Sequence, residues 1–290
     1  MPFGNGIDSD CVAEACEYMR LTTAHYITPV CRGIDDDHGE NYGSATFVTL
    51  RGRPYLLTNE HVPRMGLGHR LAHFVGEQQL AAVITFPFVC EPAPLDAAIA
   101  RILPESLANG DRQVVPTEMI DTAFSPFAGE IMFVHGYPGD FGQFWQMVGT
   151  LRARSFPFAT DLIPLPDLPG LDPEMHVAVS YPVNVHRTDG SVAFTPNPGG
   201  LSGSALWDTK YVAAGVNEWV PAGARIAAII FGYVDNPRCL LAVKIEHVRR
   251  FILETLRHEA AYFRSIEKHS IPRDALSDWL WAEQLISGIE

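Results

Sequence analysis

The sequence predicts an all-β protein with a helical segment at each end. From Ile27 onward, short β-type runs alternate with turns, and the second half of the chain repeats this pattern. From Lys244 the apolar residues instead recur with the 3.6-residue period of a helix. Residues 8–24 show the same helical spacing. We therefore expect antiparallel sheet between two terminal helices.

Length, charge and cysteine content narrow the class of protein. The chain has 290 residues, of which 47% are hydrophobic, and this allows one large or two small domains. A formal net charge of −13 argues against a nucleic-acid partner, because nothing offsets phosphate repulsion. The five cysteines show no CxxC spacing, so we expect neither a disulfide framework nor a zinc site. A reducing compartment fits this cysteine content.

Segments that target or anchor a protein are not visible in the sequence. No apolar run reaches the length of a transmembrane helix. The first residues lack the charged and apolar regions of a signal peptide. We expect a cytoplasmic protein that binds no membrane, no metal and no cofactor.

The loop around Ser202 has the composition that a nucleophile requires. Residues 197–204 read NPGGLSGS. Acyl transfer passes through an oxyanion, which backbone N–H groups in a glycine-containing turn can bind. We expect the N–H groups of Gly200 and Ser202 to form this oxyanion hole and the Ser202 hydroxyl to attack. A tight turn between strands is the alternative interpretation of so short a string.

Two upstream stretches favour a nucleophile at Ser202 over a simple tight turn. Residues 55–62, YLLTNEHV, form an apolar strand that ends in His61. Asp96 stands at the start of another apolar strand, residues 97–102. The chain order His61, Asp96, Ser202 is one of the three orders in which Ser-His-Asp triads occur.

The three motifs together resemble those of a known family. TNEHV, LDAAIARI and NPGGLSGSA are similar to the motifs of trypsin/chymotrypsin-like serine peptidases, especially the bacterial, disulfide-free branch that includes the HtrA-type proteases. The resemblance spans about residues 40–245. It implies that His61 is the base, Asp96 the orienting carboxylate and Ser202 the nucleophile. It also implies two six-stranded antiparallel β-barrels that meet at a cleft.

On this basis the chain divides into four segments. We expect a helical leader at 1–26, a first barrel at 27–115, a second barrel at 116–243 and helices at 244–290. The apolar tail around Trp279 and Trp281 either packs on its own barrel or docks a protein partner or a second copy of the chain.

The resemblance also implies a substrate pocket. Its lining residues would be Pro196, Asn197, Ile230, Phe231 and Tyr233, with Leu240 at the base. Trypsin-type members place an aspartate six residues before the serine to bind Arg or Lys, and here that position is Pro196. We expect an uncharged pocket for small or medium apolar side chains.

The residue before the nucleophile bears on activation. In secreted members a newly cleaved amino terminus pairs with an aspartate at that position, whereas this chain has Leu201. Leu201 cannot accept a charge, and a buried ammonium without a partner would cost several kcal/mol. We expect the uncleaved chain to be competent, alone or with a docked partner.

The remaining histidines have simpler explanations. His135 has no aspartate at comparable spacing and is expected to be structural. His69 and His73 stand four residues apart without a third metal ligand, so we expect both on a surface loop.

These observations predict a serine endopeptidase that cleaves a protein or peptide through an acyl-enzyme. The first alternative is a catalytically inactive pseudoprotease that keeps the fold as a binding module. An α/β-hydrolase esterase is the second alternative, but it requires the serine before the acid and the histidine.

Overall fold

The computed structural model describes residues 9–33, 39–50, 52–68, 70–75, 80–108, 111–145, 150–186 and 192–265. The helices there are α1 (Ser9–Thr23), α2 (His61–Met65), α3 (Glu105–Ala108), α4 (Tyr211–Ala214) and α5 (Ile245–Ser265). The strands of the first half are β1 (Ile27–Gly33), β2 (Gly39–Leu50), β3 (Arg53–Thr58), β4 (Leu71–Val75), β5 (Leu80–Val83), β6 (Phe88–Glu91) and β7 (Ala97–Arg101). Those of the second half are β8 (Met132–Gly136), β9 (Gly142–Trp145), β10 (Thr150–Ala153), β11 (Phe156–Thr160), β12 (Leu162–Ile163), β13 (His176–Ser180), β14 (Asn184–His186), β15 (Val192–Phe194), β16 (Ala205–Asp208), β17 (Arg225–Asp235) and β18 (Arg238–Lys244).

The strands form two antiparallel seven-stranded sheets. The first has the order β5-β4-β1-β2-β3-β7-β6, and the second has the order β11-β8-β16-β17-β18-β13-β12. The pairs β9–β10 and β14–β15 are separate two-stranded ribbons. The predicted all-β, two-barrel architecture is confirmed. Each sheet has seven strands where six were expected, because short edge strands such as β12 add to the ladder.

A shared hydrophobic core joins the two halves. It contains Leu57 and Ile99 from the first sheet, Trp207 from the second, Met19 from α1 and Val248 from α5. All five side chains are buried. Because the apolar faces of both sheets and both terminal helices bury against one another, loops at the ends of different strands are held at fixed positions.

The terminal helices agree with the sequence pattern where they are described. The helix predicted over residues 8–24 is present as α1, and the change of period at Lys244 marks the start of α5. The apolar tail around Trp279 and Trp281 lies outside the described residues. None of the helices described here combines the length and the apolar character needed to cross a membrane.

Candidate active site

Strand pairing brings His61 to Asp96. The end of β3 is paired with the start of β7, so that Thr58 lies opposite Ala98. His61 follows β3 and begins α2, and Asp96 immediately precedes β7. Residues separated by 35 positions in the chain therefore meet at one end of this strand pair.

The Asp96 carboxylate holds the histidine at two points. Its Oδ2 lies 2.6 Å from His61 Nδ1, and its Oδ1 accepts the His61 backbone N–H at 3.0 Å. Both side chains are partly buried, with exposed fractions of 22% for His61 and 13% for Asp96. With Nδ1 bound to the carboxylate, Nε2 is the ring nitrogen left to accept a proton from a nucleophile.

The backbone of Asp96 is left-handed and is held by its surroundings. Its φ is +47°, a conformation uncommon for residues other than glycine. Its N–H donates to the carbonyl of Pro92 at 3.2 Å, and its own carbonyl accepts Asn59 Nδ2 at 2.8 Å. These bonds keep the carboxylate aimed at the histidine despite the strained backbone.

Two successive turns shape the loop that carries Ser202. The Leu201 N–H donates to the Pro198 carbonyl, and the Ser204 N–H donates to the Leu201 carbonyl, each at 3.0 Å. The third residues of these turns, Gly200 and Gly203, have φ values of +93° and +88°. A positive φ at the third position is what a type II turn requires, and glycine adopts it without steric cost.

The turns leave two backbone N–H groups unused. Gly199 N–H donates to the Asn197 side chain, and Gly203 N–H donates to the Ile230 carbonyl. The N–H groups of Gly200 and Ser202 donate to no other described residue. Since backbone donors are normally paired, two free donors flanking Leu201 are available to an oxyanion.

Ser44 in β2 ties this loop to the first sheet. Its hydroxyl donates to the Gly200 carbonyl at 2.8 Å and accepts the Tyr137 N–H at 2.8 Å. Its own N–H donates to the Ser202 carbonyl at 2.8 Å. Nothing in the sequence distinguished this serine, because its partners lie far away in the chain.

Two glycines lie where the Ser202 loop closely approaches the first sheet. A Cβ at Gly203 would lie 2.0 Å from the Ser44 carbonyl oxygen. A Cβ at Gly43 would lie 2.8 Å from Val62 and 3.3 Å from the Ser202 carbonyl oxygen. Val62 follows His61, so the histidine segment and the serine loop border the same small space.

Ser202 and Ser204 differ in burial and in hydrogen bonding. Ser204 is fully buried, and its hydroxyl has no hydrogen-bond partner among the described residues. Ser202 is partly exposed, and its hydroxyl donates to the Phe231 carbonyl at 3.4 Å. No hydrogen bond joins Ser202 to His61, both of which are described.

Comparisons with known proteins give similarity to solved structures only. No protein-family model and no curated protein matches the chain. The serine endoprotease from Yersinia pestis is 14% identical, with 83% of this chain and 65% of that chain covered and a TM-score of 0.48. Deg5 is 15% identical, with 85% and 95% covered and a TM-score of 0.48. The active form of the Rv3671c protease from M. tuberculosis is 17% identical, with 80% and 81% covered and a TM-score of 0.43.

This chain has the antiparallel, two-barrel architecture expected from the sequence. It spans about 65% of the length of the Yersinia pestis protein. At these identities no residue role is transferred, so the chemistry of the site rests on the contacts within this chain.

The residues expected to line a substrate pocket have unequal exposure. Ile230 and Leu240 are each 1% exposed and pack in the core of the second sheet. Phe231 and Tyr233 are partly exposed. Phe231 is an extra residue in β17, because Ile230 pairs with Ala242 and Gly232 with Leu241. Such a bulge turns side chains to new directions beside the serine.

The other two expected lining residues precede the serine. Pro196 is buried, and its carbonyl accepts the Tyr181 hydroxyl at 2.8 Å. Asn197 is exposed, and its N–H donates to Asp140 Oδ2 at 3.0 Å. Leu201, just before Ser202, is 1% exposed and packs in the same core as Ile230.

Buried histidines have structural roles. His135 Nδ1 bonds Thr23 of α1, its Nε2 bonds Ser155, and complete burial lowers its pKa to about 3. This agrees with the structural role predicted for His135. His73 was expected on a surface loop and is instead buried in β4, where burial lowers its pKa to about 4. His69 lies outside the described residues. Within the described chain, no three acidic, histidine or cysteine side chains cluster as metal ligands.

Proposed function

We propose that this protein is a serine endopeptidase with Ser202 as nucleophile, His61 as general base and Asp96 as orienting carboxylate. The observation that carries the proposal is the two-point contact of Asp96 with His61, at a site bordered by the Ser202 loop. A carboxylate that binds both Nδ1 and the backbone N–H of a histidine sets its tautomer and its direction together.

The reaction follows from these contacts. His61 Nε2 accepts the Ser202 proton as the hydroxyl oxygen attacks the substrate carbonyl carbon. The Gly200 and Ser202 N–H groups bind the oxyanion that forms. His61 then gives the proton to the leaving amine, and the acyl-enzyme remains. Water attacks the acyl-enzyme in the same way, with His61 first accepting and then returning a proton to Ser202.

The substrate proposed is an extended protein or peptide. The nucleophile and the proton transfers are supplied by side chains of this chain, so the proposed reaction includes no cofactor and no metal. Nucleic acid is not proposed as a substrate, because the formal net charge is −13.

A second candidate function is a binding module that has lost turnover. It is favoured by the Ser202 hydroxyl, which donates to the Phe231 carbonyl and not to His61. Hydrogen bonds between nucleophile and base are often long without substrate and tighten in the complex, so we prefer the peptidase.

A fluorophosphonate reaction followed by intact-mass measurement separates the two candidates. We expect one adduct on the wild type, no adduct on Ser202→Ala and one adduct on the control Ser204→Ala. An adduct that survives in Ser202→Ala contradicts the assignment of the nucleophile. A wild type that gives no adduct supports the binding module.

A further inference from the structure

A cation lies against Tyr233, one of the residues expected to line the substrate pocket. Arg238 begins β18, across the hairpin from Asp235 of β17. Its guanidinium carbon lies 5.9 Å from the ring centre of Tyr233 and 5.5 Å from that of Tyr181. Tyr181 in turn donates its hydroxyl to the Pro196 carbonyl. Arg238 therefore reaches both Tyr233 and, through Tyr181, Pro196.

The Arg238 guanidinium forms one hydrogen bond with a described residue. Nη2 donates to Thr195 Oγ1 at 3.3 Å, directly beside Pro196 in the chain. Nε is buried and has no partner among the described residues. Arginine carries five N–H donors, and a buried donor without an acceptor costs free energy.

The charge of Arg238 is likewise not neutralised by a described carboxylate. No acidic side chain in the described part of the chain forms an ion pair with it. Asp235, its neighbour across the hairpin, accepts the Tyr233 hydroxyl. Contact with aromatic faces orients a guanidinium but leaves its positive charge and its remaining N–H groups for a ligand.

We propose that Arg238 makes this pocket select an acidic side chain, Glu or Asp, at the substrate residue before the scissile bond. The inference rests on the proposed peptidase function and replaces the uncharged pocket expected from the sequence. A planar guanidinium held beside two tyrosine rings presents parallel N–H groups, which match the two oxygens of a carboxylate. The same charge repels Arg and Lys at that position.

Matched peptides test the proposal on the wild-type protein. Two fluorogenic peptides differ only by Glu or Gln at that position, so that shape is constant and charge changes. We expect kcat/KM to be roughly 10- to 100-fold higher for Glu, the range typical of hydrogen bonds to a charged group. Equal cleavage of the two peptides, or a preference for Leu or Lys, overturns the proposal.

Variants assign the preference to Arg238. Arg238→Met keeps the apolar stem over the tyrosine rings and should remove the discrimination between Glu and Gln. Arg238→Glu should reverse the charge preference towards Lys. Arg225→Met is the matched control, because Arg225 lies at the other end of β17 and its side chain, among the described residues, bonds only carbonyls of its own loop. Glu selectivity that persists in Arg238→Met contradicts the assignment.

Each cleavage rate is divided by the concentration of Ser202 that reacts with the fluorophosphonate. A variant that is partly unfolded is then not mistaken for one that has lost selectivity. A wild type that labels at Ser202 but shows no acidic preference overturns this inference and leaves the peptidase function intact. A wild type that neither labels nor cleaves overturns both.

Discussion

The His176 imidazole of the second sheet donates a hydrogen bond from Nε2 to the Pro94 carbonyl of the first half, at 2.9 Å. The direction of this bond follows from the other ring nitrogen, since Nδ1 accepts the Asp172 N–H at 2.9 Å. His176 is 2% exposed, and its ring centre lies 5.2 Å from that of Phe231. One side chain therefore contacts the loop before Asp96 and the residue whose carbonyl accepts the Ser202 hydroxyl.

We predict that His176→Phe lowers kcat about tenfold and leaves KM unchanged, because the bond to the Asp96 loop is lost while ring packing is kept. The fluorophosphonate labelling rate should fall in parallel. His176→Gln, which retains a donor and an acceptor, should recover part of the rate. Unchanged kcat per labelled site, with only a lower Tm, would show that His176 is merely structural.

Replacing Ser44 with Ala should weaken the oxyanion site. The change removes the donor to the Gly200 carbonyl and the acceptor of the Tyr137 N–H, leaving both backbone groups unpaired. We expect a loss of roughly 1–3 kcal/mol in the free energy of unfolding and a lower kcat. The control Ser106→Ala alters an exposed hydroxyl that bonds a local carbonyl. Equal kcat in both variants would contradict a role for Ser44 at the site.

Acid should destabilise the protein through its buried histidines. Burial holds the pKa of His135 at about 3 and that of His73 at about 4, against an ordinary value of 6.5. Below pH 6.5 the unfolded chain binds protons that the folded chain does not, so stability falls as pH decreases towards these values. Thermal unfolding between pH 7 and 4 measures this slope.

The variant His135→Gln isolates one of the two contributions. Glutamine is neutral at every pH and can bond Thr23 and Ser155, so the slope of Tm with pH should become shallower. A slope equal to that of the wild type would mean that protonation of His135 is not coupled to unfolding.

The chain should react without cleavage near its amino terminus. Leu201 is buried with Ile230 and Leu240, so packing holds the loop in place of an ion pair. We expect the intact mass of the labelled protein to include every residue before Ile27. Leu201→Ala should slow labelling and cost roughly 2–5 kcal/mol of stability by leaving a cavity. Activity that rises only as the leader is lost would refute this expectation.

The sequence predicted those features that depend on neighbours in the chain. Short apolar runs and turns identified the strands, and the 3.6-residue period identified α1 and α5. Gly200 and Gly203 could be predicted because positive φ in a turn is a local requirement. His61, Asp96 and Ser202 were singled out by local motifs whose order suited one chemistry.

Only the tertiary structure decided which distant groups meet. His176 and Pro94 are 82 positions apart, and Ser44 and Gly200 are 156 apart, so no local pattern indicates either contact. His73 was expected at the surface, whereas the structure buries it in β4. Its four-residue spacing from His69 carries no information about burial. Arg238 gains its place beside Tyr181 and Tyr233 from the β17–β18 hairpin and from packing. Turn and period are properties of a few consecutive residues, whereas burial and hydrogen-bond partners are set by strand pairing between remote segments.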